Sequence, residues 1–85
     1  MTIFDIVQES AEIRIALLLA VRSAKQCMIE NTIYHLHVFR ACCMDRKISI
    51  YNVSKICRYV WLIYMKQMRE SFKVTVLAKS ALESK

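Results

Sequence analysis

Residues 52–73 read NVSKICRYVWLIYMKQMRESFK, and the spacing in this stretch decides the fold. At 100° per residue, Lys55, Arg58, Lys66, Arg69 and Lys73 fall within about 80° of arc, with Tyr59 and Leu62 among them. Val53, Cys57, Val60, Trp61, Tyr64 and Met68 fall on the opposite side. The period is helical: one side is apolar enough to face a core, and the other is basic and partly aromatic.

Working outward, the charge is unevenly shared. Residues 1–43 carry Arg14, Arg22, Lys25 and Arg40 against Asp5, Glu9, Glu12 and Glu30, so they balance. The whole net charge of +6 therefore belongs to residues 44–85. Glycine and proline are both absent. Turns that need a positive φ, and glycine helix caps, are then not expected, which favours helices joined by short polar segments. Without glycine loops, phosphate-cradling and dinucleotide-binding motifs are excluded.

Upstream, Thr2 and Asp5 resemble a capping box. A helix is expected from about residue 3 to 29, with Asp5, Gln8, Glu12, Ser23, Gln26 and Glu30 on its polar side. Its apolar side is Ile3, Val7, Leu17, Leu18, Val21, Ala24 and Met28, and Leu19 stands out on the polar side. Between Ile13 and Val21 it is apolar nearly all round, which predicts burial on two sides. Glu30-Asn31-Thr32 reads as the first joint, with Asn31 or Thr32 as a cap. Residues 32–39 suit a strand or the start of a helix reaching Met44. Asp45-Arg46-Lys47 reads as the second joint, and Asn52 or Ser54 as the cap of the basic helix. The alternation around Phe72, Val74 and Val76 suggests that this helix frays into extended chain.

The expected fold is all-α, with two long amphipathic helices and a shorter middle one. Its alternative is a small α+β fold with strands at 32–39, 47–51 and 72–77. Residues 1–79 form a single domain and 80–85 a loose tail.

Apolar residues make up 56% of the chain, above the usual ~45–50%. A monomer of this length buries only roughly 60–65% of its unfolded surface. The excess points to a helical homodimer, with Leu17, Leu18, Leu19 and Val21 as its contact and Trp61 and Tyr64 serving core or partner. The longest apolar run, Ile15–Val21, is far short of the about 20 residues of a membrane span. The N-terminus lacks a signal-peptide pattern. The four cysteines then read as free thiols in a reducing compartment, cytoplasmic or nuclear and not secreted.

No catalytic constellation can be assembled from these residues, so an enzyme is not expected. For metal, the candidates are His35, His37, Cys42, Cys43 and Cys57, whose donors suit structural zinc. The chain lacks a Cys-x₂₋₄-Cys pair, and on a helix His35 and His37 diverge by about 200°. Packed thiols and imidazoles are the simpler reading, with no cofactor.

The basic row spans about 27 Å along a helix, a length and sign that suit a line of phosphates. Lys55, Arg58, Lys66, Arg69 and Lys73 would take phosphates, and Tyr59 would stack on a base or sugar. Such contacts carry no sequence information. Two functions are therefore expected: a homo-oligomeric accessory protein that binds a protein partner, and alternatively a sequence-independent RNA or DNA binder. In composition the chain is similar to compact viral accessory proteins. That likeness covers no motif; it implies host-protein binding or RNA sequestration.

Overall fold

The computed structural model describes residues 3–83. They form four helices: α1 (Ile3–Gln8), α2 (Ala11–Lys25), α3 (Ile29–Asp45) and α4 (Ile50–Glu83). The fold is all-α, and among the described residues there is no strand. The α+β alternative is overturned: residues 32–39 lie in α3, and 72–77 in α4. At 17 residues the middle helix α3 is not the short one; it exceeds α2, which has 15.

The expected first helix is divided. Ser10, in extended conformation, caps α2 by accepting the Ile13 N–H on its hydroxyl at 3.1 Å. The capping-box reading involves Thr2, which lies outside the described residues. The buried residues of α2 are Ile13, Ala16, Leu17, Ala20, Ser23 and Ala24, on the side that Ile6 occupies in α1. Ser23, expected on the polar side, is buried, and Leu18, expected on the apolar side, is 62% exposed.

The first joint falls at residues 26–28, earlier than expected, and the chain closes it without glycine. Cys27 takes φ 56°. Its N–H donates to the Ala24 carbonyl, and the Met28 N–H to the Ser23 carbonyl. The second joint repeats this device: Lys47 takes φ 57°, its N–H donates to Met44, and the Ile48 N–H donates to Cys43. These are two Schellman closures built on non-glycine residues in the left-handed region, at a cost of about 1–2 kcal/mol each. Ile48 is buried, as is Cys43, and this apolar pairing is what such a closure commonly carries.

Neither expected cap is used. Thr32 is fully buried in the first turn of α3 and donates its hydroxyl to the Met28 carbonyl at 2.8 Å. Asn52 and Ser54 lie inside α4, which begins at Ile50 with the Val53 N–H donating to the Ser49 carbonyl.

The core is small. Ile6 of α1, the inner face of α2, Leu36, Phe39 and Cys43 of α3, Ile48, and Val53, Ile56 and Val60 of α4 form one cluster. α2, α3 and the first half of α4 make a three-helix bundle, up, down and up, because both joints are short. α4 then continues alone. It has 34 residues, about 50 Å at 1.5 Å per residue. Residues 72–77 do not fray, and residues 80–83, expected as loose tail, are helical. The radius of gyration is 16.4 Å, with extents of 59 × 19 × 16 Å. A globular chain of this length would have about 12 Å. The excess is the projecting half of α4.

Candidate interaction surface

The basic row is displayed as the periodicity predicts. Lys55, Arg58, Tyr59, Lys66, Arg69 and Lys73 are all exposed on the one unbroken helix. Leu62, within the same arc, is exposed as well. On the opposite side Val53 and Val60 are buried, and Cys57, Trp61 and Tyr64 pack half-buried against the core. The Trp61 and Tyr64 rings meet edge to face, with centroids 5.7 Å apart at 85°, a geometry favoured by the ring quadrupoles. Met68, expected on the core side, is 45% exposed because the bundle no longer covers it.

The residues expected to form the self-association contact divide. Leu17 is a core residue at 9% exposure, so it is not available to a partner. Val21 is half-buried against the same core. Leu18 and Leu19 are exposed, on the outer side of α2. The predicted burial of α2 on two sides is met on one side only.

Between α2 and α3 runs an open groove of about 380 Å³, lined by Glu12, Ile15, Ala16, Leu19, Tyr34, His35, Val38 and Cys42. No residue of α4 lines it. A smaller crevice of about 100 Å³ lies between α3 and α4, walled by Ile33, Leu36, His37, Arg40, Cys57 and Trp61.

These two clefts separate the metal candidates. His35 and Cys42 line the α2–α3 groove, His37 and Cys57 the α3–α4 crevice, and Cys43 is in the core. The helical divergence of His35 and His37 accounts for the division. Among the described residues, no three His, Cys, Asp or Glu side chains gather into a set that could hold a metal ion.

All four cysteines are free. Burial pushes the Cys43 thiol up to about 11, with the neighbouring Cys42 and Cys57 adding to the rise. Burial also raises Cys57, opposed by the Arg40 guanidinium. Both are therefore protonated at neutral pH, and a thiol in that form is a poor nucleophile and metal ligand.

Reading the sequence alone missed the exposed apolar residues of the projecting half of α4. Phe72, Val74, Val76, Leu77 and Leu82 are all exposed there, next to Met65 and Met68. Their signal was present: helical periodicity continues through them, but the alternation of Phe72, Val74 and Val76 imitates a strand. No helix of the described residues is long and apolar enough to cross a membrane. No protein family, no curated protein and no solved structure matches the chain.

Proposed function

We propose that this chain is a non-enzymatic interaction protein, a homo-oligomeric accessory or regulatory factor that works by presenting helix surface to a macromolecular partner. One observation carries the reading: the large apolar side chains left exposed, from Ile15, Leu18 and Leu19 on α2 to Phe72, Leu77 and Leu82 on α4, rival those of the core. So much exposed apolar side chain on a chain of this size supports an interaction role. The free thiols suit work in the cytoplasm or nucleus.

A second reading, sequence-independent binding of RNA or DNA, is favoured by the exposure of Lys55, Arg58, Lys66, Arg69 and Lys73 along one unbroken helix. The two are separated by light scattering followed by titration with a fluorescent RNA duplex. Interaction through apolar surface predicts a mass above 10.0 kDa and no binding of the duplex. Phosphate binding predicts an affinity that falls steeply between about 50 and 200 mM salt. A monomer that ignores RNA and captures no protein partner contradicts both.

A further inference from the structure

Five helical turns are 18 residues, so residues 18 apart on α4 share one angular position. Ile56, Val60 and Tyr64 face the bundle. At the same angles, five turns on, stand Val74, Ala78 and Leu82, all exposed. A narrow apolar stripe at these three angles thus runs on past the end of the core, flanked by Ser71, Thr75 and Lys79 at the angles of Val53, Cys57 and Trp61. Its near end borders the α2–α3 joint, where Val74 shares a shallow hollow with Lys25 and Cys27. Beyond that point the chain's own bundle covers nothing of it.

The groove between α2 and α3 lies on the far side of those helices, since α4 contributes none of its lining. Along α3 it extends from Tyr34 to Cys42. The uncovered stripe extends from Val74 to Leu82. Each covers eight residue steps, about 12 Å.

We infer that the projecting half of α4 docks in the α2–α3 groove of a second copy of this chain, and that the second copy returns the same contact. This deepens the proposed function and rests on its self-association. Two such molecules lie antiparallel, and each arm meets the other's bundle on the side its own stripe faces. A two-fold axis makes both contacts equivalent and closes the assembly at a dimer. Because the contact is made twice, a short helix in a groove builds toward the ~1,600 Å² of a stable interface.

Charge selects this face over the others. The basic row is centred about 160° round the helix from the stripe, so pairing through the row would bring two positive surfaces together. Pairing through Val74, Ala78 and Leu82 leaves both rows outside. In the antiparallel arrangement the arm runs alongside the partner's α3, with Val74 toward Tyr34 and Leu82 toward Cys42. Lys79 then approaches Glu12, which lines the groove at the same end as Cys42. The occupant is thereby matched in length, in apolar character and in sign.

The test is an interchain cross-link read with molar mass. Leu82→Cys, oxidised with glutathione disulfide, forms a covalent dimer through Cys42 of the partner subunit. The dimer is lost when Cys42→Ser is added. The unmodified chain has twice its 10.0 kDa in light scattering, and Ala78→Glu returns it to that single-chain mass with unchanged helical circular dichroism. A dimer that survives Ala78→Glu and gives no Cys42-dependent cross-link overturns the arm-in-groove contact while leaving self-association standing. A single-chain mass at every concentration overturns both.

Discussion

The two halves of α4 share a period and a phase, yet only one of them has a core to face. From Ile50 to about Gln67 the helix packs against α2 and α3, and its inward positions hold Val53, Ile56 and Val60. From Met68 to Glu83 every residue is exposed. Moving five turns along the stripe, Ile56 becomes Val74, Val60 becomes Ala78 and Tyr64 becomes Leu82. At these three positions the side chains grow smaller and remain apolar, whereas Val53 and Cys57 become Ser71 and Thr75. A solvated extension would place charge or amide groups at these positions, as the helix does with Lys73 on its outer side and with Lys79 at the angle of Trp61. An isolated helical stretch of this length is only marginally stable in water. The lesson is that amphipathicity reports what a helix is built to meet, and here it continues beyond what the monomer supplies.

The largest effect should come from cutting the same stripe in its two halves. Ile56→Ala, in the covered half, should cost about 2–5 kcal/mol through lost burial and a cavity. Val74→Ala, at the same angle five turns on, should change the stability of a dilute sample by no more than about 0.5 kcal/mol. Denaturant melts of both variants check this, and equal losses would erase the distinction between the halves.

The bundle that covers the first half of α4 also holds a pH-sensitive thiol, Cys43 of α3. The folded state holds the Cys43 proton more tightly than the unfolded chain, raising its value from 9.0 to about 11. Its contribution is therefore complete below pH 9 and is lost as pH rises toward 11, where the unfolded state releases the proton first. The melting temperature should fall across that window, and Cys43→Ala should remove this component of the fall.

Smaller gains should come from the joints that hold the bundle closed. Cys27→Gly and Lys47→Gly relieve the left-handed backbone at φ 56° and 57°. Each should raise stability by about 1 kcal/mol or less in thermal or chemical unfolding. The smallest effect belongs to the outer row. Charge reversal at Lys66 and Arg69, both exposed, should move stability by no more than about 0.5 kcal/mol. A double variant that unfolds would show that these two side chains face the core and that the helix is phased differently.

Helical class and the basic row were legible because both rest on a period that local sequence expresses directly. The exposure of Lys55, Arg58, Lys66, Arg69 and Lys73 follows from spacing alone. The break before α2 was not legible, since Glu9 and Ser10 sit within an otherwise helical pattern and the cap depends on a single hydroxyl. Leu17 belongs to the core and Leu18, one residue and about 100° on, does not. The first joint was misplaced for a related reason, whereas the second, expected at 45–47, lies at 46–49. Closures of this type are normally signalled by glycine, and Cys27 and Lys47 carry no such mark. The α2–α3 groove was beyond reach because it is made by residues from two helices whose register the joints determine.

Hydrogen exchange along α4, in a dilute and a concentrated sample, tests most directly whether the projecting half is an interaction surface. Amides of residues 50–67 should be protected in both samples, as part of the bundle. Those of residues 74–82 should exchange rapidly when dilute and gain protection when concentrated, as a second copy covers them. Rapid exchange over 74–82 at every concentration would contradict the account, because the stripe would then have nothing of its own kind to meet.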